Sequence, residues 1–255
     1  MTNKKLTVGV YAFSACSGCE IAILNLEDLL LELLGNFNIK FFHLVQGKNK
    51  EEKVDILFVE GAITTNKQKN KLLELRKNAK IIVAIGSCAC TGGIPAMKND
   101  IDRNELSKIT YGNNPPVKSI KPMPIDNFIN VDYYVRGCPI NKEEFAKTVM
   151  SLLAGKNPFQ RPYPVCTECR RNENECLLDK GKICFGPISL MGCDAQCPGK
   201  GIPCTGCRGF CDEAELESYI HLLKEKKISS KKIEESFDNF LADRIDKKKI
   251  KQMLK

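Results

Sequence analysis

Through residue 155, short apolar runs alternate with longer amphipathic ones. Residues 6–13, 39–45, 54–60, 80–86 and 131–136 are short and rich in β-branched or aromatic side chains, which suit a pleated, buried surface. Between them, residues 20–34 set Ile21, Ala22, Leu24, Leu26, Leu29, Leu30 and Leu33 at helical spacing, and Gly35 marks the stop. Residues 66–78 and 142–153 are further helix candidates. Strand and helix in alternation predict an α/β fold, a mainly parallel, doubly wound sheet with helices on its faces. Residues 95–130 interrupt the alternation with Pro95, Pro115, Pro116, Pro122 and Pro124, which predicts a mostly irregular excursion.

The sequence then changes character. Nine of the fourteen cysteines fall between Cys166 and Cys211. Cys166-x2-Cys169-x6-Cys176-x7-Cys184 is followed by Cys193-x3-Cys197-x6-Cys204-x2-Cys207, with Cys211 trailing, and the spacing reads as two quartets. In the last stretch, residues 231–240 and 242–254 have the pattern of two short charged helices, which are marginal alone. The chain thus divides into an α/β domain (1–157), a loop-rich cysteine domain (158–211) and a charged helical tail (212–255). Removal of residues 224–255 is expected to leave the cysteine sites intact and to weaken at most assembly with other subunits.

Clustered thiols can form disulfides, hold zinc or hold iron–sulfur clusters, and the compartment decides first. Met1-Thr2-Asn3-Lys4-Lys5 runs straight into the first predicted strand, with no long apolar segment and no small-residue cleavage site. A cytosolic, reducing location is expected, and the thiols read as metal ligands. Zinc favours paired Cys-x2-Cys knuckles, often with histidine, whereas His43 and His221 both lie far from the quartets in sequence. Irregular spacing with Gly181, Gly186, Gly192, Gly199, Gly201 and Gly206 suits a backbone wrapped closely round an iron–sulfur cluster. Iron–sulfur is favoured at this point, and zinc stays open. The bacterial ferredoxin run Cys-x2-Cys-x2-Cys-x3-Cys-Pro is absent, which argues against an ordinary two-cluster ferredoxin insert.

Composition narrows the partners. A chain of 255 residues at 43% hydrophobic can bury one sizeable core plus a smaller appendage. Of the net charge of +8, residues 221–255 supply +5 from eleven basic and six acidic residues, so the body is close to balanced. Bases interleaved with aromatics, the mark of a nucleic-acid surface, are missing from this tail, which reads as a solvated or partner-docking helix pair. Neither nucleic acid nor a membrane is expected as a partner.

The predicted topology gives the other cysteines a meaning. Cys16 and Cys19 follow the first strand, Cys88 the fourth and Cys138 the fifth, and ligands of open α/β sheets gather at the carboxyl ends of strands. Three separate loops therefore supply Cys16, Cys19, Cys88 and Cys138 as one more quartet. A helix starting near Gly18 is expected to aim backbone N–H groups at their sulfurs. Buried structural cysteines are the plainer alternative, and Cys90 is assigned to packing. Glu60, at a strand's carboxyl end, is expected to cap local backbone, with a place near the quartet or on a proton path as the alternative.

These residues carry a resemblance. Cys16-Ser17-Gly18-Cys19, Val59-Glu60-Gly61-Ala62, Gly86-Ser87-Cys88-Ala89 with Gly92-Gly93, and Gly137-Cys138-Pro139 resemble the small subunit of nickel-iron hydrogenases. Val165-Cys166-Thr167-Glu168-Cys169-Arg170, Asn174-Glu175-Cys176-Leu177-Leu178, Cys184-Phe185-Gly186-Pro187, Gly192-Cys193-Asp194-Ala195-Gln196-Cys197-Pro198 and Pro203-Cys204-Thr205-Gly206-Cys207-Arg208-Gly209 are similar to its cytosolic members, the sulfhydrogenase delta subunit and the F420-non-reducing (methyl-viologen-reducing) hydrogenase small subunit. The resemblance covers residues 5–211.

It implies a flavodoxin-like first domain and three 4Fe-4S clusters: proximal on Cys16, Cys19, Cys88 and Cys138, distal on Cys166, Cys169, Cys176 and Cys184, and medial on Cys193, Cys197, Cys204 and Cys207. The related complex I subunit typically has adjacent cysteines at the first site and lacks the later quartets. Periplasmic members carry a twin-arginine export signal, and a histidine where Cys166 stands. Many oxygen-exposed members have proline in place of a fourth medial thiolate and hold a 3Fe-4S cluster; here Cys197 supplies that thiolate, which implies a retained fourth iron and a lower reduction potential. Cys211 is left as a bystander, and the competing arrangement makes Cys211 the ligand and frees Cys197.

The function implied is electron transfer rather than bond breaking. Hydrogen would be split or made on a large subunit, because this chain lacks the arginine-flanked Cys-x2-Cys and the Asp-Pro-Cys-x2-Cys that hold nickel and iron there. Electrons would pass to a flavin-containing or iron–sulfur partner in the cytoplasm. A complex I-like or stand-alone iron–sulfur carrier and a zinc-stabilised interaction module are the alternatives.

Overall fold

The computed structural model describes residues 5–27, 35–114, 116, 118–160 and 162–254. The five predicted strands form as β1 (Leu6–Ala12), β2 (Phe37–Phe42), β3 (Val54–Glu60), β4 (Ala79–Ile85) and β5 (Tyr133–Val135). The helices lying wholly within the described residues are α1 (Gly18–Leu24), α2 (Asn66–Asn78), α3 (Gly86–Thr91), α4 (Arg103–Tyr111), α5 (Lys142–Leu153), α6 (Val165–Arg171), α7 (Gln196–Gly199), α8 (Leu216–Glu225), α9 (Ser230–Ser236) and α10 (Lys247–Leu254).

All strand pairs are parallel, in the order β2-β1-β3-β4-β5. This is the flavodoxin-like order, which reverses between β1 and β3 and opens a crevice at their carboxyl ends. Side-chain alternation separates the two faces. Ile56 and Phe58 of β3 join Val8, Val10, Val83 and Ile85 in a core closed by Ile23 of α1 and Phe145, Val149 and Leu152 of α5. Leu57 and Val59 join Ile82 and Ala84 in the opposite core, closed by Leu72 and Leu75 of α2. Because both faces are covered, β3 reads as an almost unbroken apolar run, and that is why it was visible in the sequence.

Backbone bonds tie the loops at the carboxyl edge to one another. Phe13 N–H donates to Glu60 O at 2.8 Å, Ser14 and Ala62 exchange bonds at 3.1 and 3.0 Å, and Ser87 N–H donates to Gly137 O at 2.7 Å. The loops after β1 and β3, and those after β4 and β5, are thereby tied in pairs along one rim.

Two expectations are corrected and one is refined. The first helix ends at Leu24 instead of running to residue 34; residues 25–27 turn, and 28–34 lie outside the described residues, as does Pro115. Residues 95–130 are mostly irregular, as expected, but they contain one α-helix: Asp102 accepts the N–H groups of Asn104 and Glu105 at 2.9 and 3.1 Å and starts α4, a device that the surrounding prolines obscure. Third, the tail is not a solvated helix pair. α8, concealed by the charge of its neighbourhood, supplies Tyr219, Ile220 and Leu223, and the segments after it supply Ile233, Phe237, Leu241 and Ile250, to one core shared with Val165, Leu177, Phe185 and Ile188. Phe185 and Phe237 meet edge to face at 4.9 Å. Three ion pairs among the described residues fasten the tail to the α/β half, Arg244–Asp126 at 2.7 Å, Lys247–Asp100 at 2.9 Å and Lys121–Asp243 at 3.9 Å. Among the described residues no helix is long and apolar enough to cross a membrane.

Candidate metal centres

Cys16, Cys19, Cys88 and Cys138 meet above the carboxyl ends of the strands. Cys88 stands within electrostatic range of Cys138 and Cys16, and Cys19 within range of Cys88 and Cys138. Burial above all, then the neighbouring sulfurs and Glu60, pushes the Cys88 thiol up to about 12; the Cys19 and Cys138 thiols are raised chiefly by burial as well. Against this, the N–H groups of Ile140 and Ile94 point at the sulfurs of Cys19 and Cys88 and favour their thiolates. Gly86 makes room: its φ is +80°, and a Cβ there would stand 2.4 Å from Cys19 Sγ. Cys16 and Cys138 are exposed, so this quartet opens to one surface of the chain.

Cys88 lies on the short helix α3 rather than in a simple loop. The N–H groups of Cys19 and Glu20, at the start of α1, donate to the buried carboxylate of Glu60 at 3.4 and 3.1 Å and not to sulfur, which corrects the role expected of that helix. Glu60 thus caps a helix distant in sequence rather than local backbone, and it stands beside the quartet, acting on Cys19, Cys88 and Cys138, which is the alternative place the sequence offered. Burial raises it above the usual carboxylate range.

The second quartet is carried by α6, with Cys166 and Cys169 three residues apart, and by the loop after it. Cys166 lies within electrostatic range of Cys184, Cys169 and Cys176, and burial pushes its thiol up to about 12. N–H groups of Gly186 and Cys204 point at the Cys184 sulfur. The third quartet, Cys193, Cys197, Cys204 and Cys207, lines one small cavity. Burial pushes Cys204 up to about 12 and Cys207 up to about 11, while N–H groups of Gly206 and Cys138 are directed at those two sulfurs. Ser189 Oγ is buried on the same cavity without a hydrogen-bond partner of good geometry.

Three contacts set the order of the quartets in space. Cys138 N–H is directed at the sulfur of Cys207, and Ser87 Oγ donates to the Cys207 carbonyl. Cys204 N–H donates to Cys184 Sγ at 3.3 Å. Cys193, Cys197, Cys204 and Cys207 therefore stand between the other two sets. Cys90 and Cys211 stand apart: Cys90 is wholly buried against Ala84 O at 3.6 Å, and the groups acting on Cys211 are the acidic Glu213 and Asp212 and no cysteine. His43 and His221 pair with Glu51 and Glu225.

The donor chemistry fits an iron–sulfur cluster at each set. Thiols held neutral by burial, yet facing backbone N–H groups, become thiolates once metal supplies the missing positive charge. Among the described residues no group of three or more His, Cys, Asp or Glu is arranged to hold a single metal ion; a four-iron cluster needs its thiolates farther apart than one zinc ion does. Sequence reasoning passed over the side chains that organise the third quartet, Arg208, Glu144 and Glu168, and over Tyr219, whose hydroxyl donates to Cys184 O at 3.1 Å. The only signal for Arg208 and Glu168 was their position beside ligand-type cysteines; Glu144 and Tyr219 had none.

Residues 16–152 match the family described as NADH ubiquinone oxidoreductase, 20 Kd subunit. The sulfhydrogenase 2 subunit delta of Pyrococcus furiosus is 36% identical over 86% of this chain and 93% of its own length. One subunit of the F420-non-reducing vhu hydrogenase of Methanocaldococcus jannaschii is 34% identical over 84% of this chain and 85% of its own. Among solved structures, a chain of an NAD+-reducing NiFe-hydrogenase in the H2-reduced state superposes with a TM-score of 0.57 at 26% identity, covering 62% of this chain and 96% of that one. The NiFeSe hydrogenase of Desulfovibrio vulgaris Hildenborough, at 19% identity and a TM-score of 0.57 over 81% of this chain and 94% of that one, shares the fold. The flavodoxin-like sheet, the three groups of cysteines and these relatives together make the chain a member of the hydrogenase small-subunit family, within the wider family of the 20 kDa subunit of NADH ubiquinone oxidoreductase.

Proposed function

We propose that the chain is the electron-transfer subunit of a cytoplasmic nickel-iron hydrogenase and holds three 4Fe-4S clusters. Cys16, Cys19, Cys88 and Cys138 would hold the proximal cluster, Cys193, Cys197, Cys204 and Cys207 the medial one, and Cys166, Cys169, Cys176 and Cys184 the distal one. When bound, the clusters supply one-electron transfer between a nickel-iron site on a large subunit and a flavin-containing or iron–sulfur partner. The observation that carries the reading is the contiguity of the three sets, with Cys138 N–H directed at Cys207 sulfur and Cys204 N–H at Cys184 sulfur.

The chain's own residues have three tasks. Backbone N–H groups of Ile140, Ile94, Gly186 and Gly206 stabilise thiolate charge. The apolar walls made by Val165, Phe185 and Tyr219 exclude water on the inner side of the distal set. The exposed Cys16 and Cys138 at one end, and the exposed Cys176 at the other, leave two surfaces for partner chains.

The test is the iron and acid-labile sulfide content of anaerobically purified protein, with its visible spectrum. Three full quartets predict about twelve irons per chain. Eight irons would remove one cluster from the reading, and a colourless zinc protein would overturn it. Hydrogen-dependent bleaching only when the large subunit is present separates a hydrogenase subunit from a stand-alone carrier.

A further inference from the structure

We propose that Arg208, held in place by Glu144, is a buried positive charge that sets the reduction potential at Cys193, Cys197, Cys204 and Cys207. This rests on the reading above that these four cysteines hold a cluster.

Arg208 follows Cys207 in the chain, is 2% exposed and lines the cavity with the four thiols. Each of its three nitrogens donates a hydrogen bond. Nη1 and Nη2 donate to the two oxygens of Glu144 at 2.7 Å each, Nε donates to Leu190 O and Met191 O at 3.0 Å, and Nη1 also reaches Arg136 O. A carboxyl that accepts from both arms of a guanidinium is the ionised form, since a proton on either oxygen would oppose a donor. The backbone is cleared for this arrangement: Gly192 has φ +126°, and a Cβ on it would stand 2.3 Å from Arg208 Nη2.

The charges around this cation are unequally placed. Arg208 acts on both Cys193 and Cys207, which it biases towards thiolate, whereas Glu168 opposes it at Cys193. Glu168 is buried on α6 and holds the Cys193 loop by accepting the N–H groups of Gly192 and Ala195 at 3.0 and 3.3 Å. Reduction adds one negative charge, which a fixed buried cation favours and a fixed buried carboxylate disfavours, in surroundings where charges are poorly screened. Arg208 thus offsets the negative charge that a fourth thiolate, Cys197, brings. Because Glu144 belongs to the α/β half and Arg208 to the cysteine-rich half, the pair also seats this quartet against the first.

A merely structural pair makes a different prediction from a tuning pair. Removing either partner of a structural pair loosens the same seam, so both variants move the potential the same way or not at all. A tuning pair splits: Arg208→Gln lowers the midpoint potential, and Glu144→Gln raises it. Arg208→Lys, which keeps the charge, stays near the wild type.

The experiment is an anaerobic redox titration of the complete protein followed by electron paramagnetic resonance, with the signal of this quartet identified beforehand as the one that Cys197→Pro alters. At least a tenfold change in the one-electron equilibrium is expected for each glutamine variant, which is 59 mV by the one-electron conversion. Shifts of the same sign, or none beyond the Arg208→Lys control, overturn the proposal. Should Arg208→Gln fail to retain iron, Glu144→Gln and Glu168→Gln decide, both being expected to raise the potential. Absence of any cluster signal from the wild-type quartet would refute the underlying reading instead.

Discussion

Removal of residues 224–255 tests whether the tail belongs to the cysteine-rich half. The cut takes away Ile233, Phe237, Leu241 and Ile250, each 2% exposed or less, and leaves Phe185, Tyr219, Ile220 and Leu223 without the side chains that cover them. At about 1.5–3 kcal/mol for each fully buried apolar side chain, the loss is roughly 6–12 kcal/mol as an upper bound, partly offset by backbone that no longer has to be ordered. Domains are stable by only about 5–15 kcal/mol in total. The cut should therefore disorder the segment bearing Cys166, Cys169, Cys176 and Cys184 and strip its iron. The sheet and its rim quartet should persist, because their cores contain no residue of the tail. Iron per chain and the thermal midpoint of the anaerobic protein measure this directly. A graded companion is Phe237→Ala, at about 3–5 kcal/mol for deletion of a buried aromatic side chain. A truncated chain with undiminished iron and an unchanged midpoint would refute the packing argument and restore the tail to a surface appendage.

Four further outcomes follow. Cys138→Ser and Cys16→Ser should each abolish the same spectroscopic signal; loss of different signals would break the convergence of the strand-end loops. Cys197→Pro should convert one 4Fe-4S centre into a 3Fe-4S centre that is paramagnetic when oxidised, while Cys211→Ser leaves every centre unchanged, and the reverse pattern would exchange their roles. Gly86→Ala, whose Cβ would lie 2.4 Å from Cys19 Sγ at a φ of +80°, should lose the rim cluster while keeping the other two, as read by iron content. Asp55, lowered to about 2 by its bond with Lys80 and by the Thr7 backbone N–H, contributes stability that is present above the ordinary carboxylate range and lost as pH falls towards 2; in Asp55→Asn, acid unfolding curves should flatten across that window.

Much of this protein is legible in its sequence because the relevant signals are local or periodic. The strands show because a sheet covered on both faces demands runs such as Val54 to Val59, and the parallel order follows from their alternation with helices. The quartets at Cys166–Cys184 and Cys193–Cys207 show because their cysteines recur at short intervals, as a chain that is to wrap one compact group requires. Even the convergence of Cys16, Cys19, Cys88 and Cys138 was readable, since a parallel sheet places every strand's carboxyl end on one edge. The sequence could not reveal contacts between groups far apart along the chain. That α1 is capped by Glu60, that Arg208 spends donors on Glu144 across the two halves, and that a lysine-rich tail hides Phe237 against Phe185 are pairings between segments far apart in sequence. The order of the three thiol sets was likewise decided only by folding, for the set latest in sequence stands in the middle in space. Spacing along a chain records what each segment can hold, whereas the neighbour that each segment meets depends on how the cores close around it.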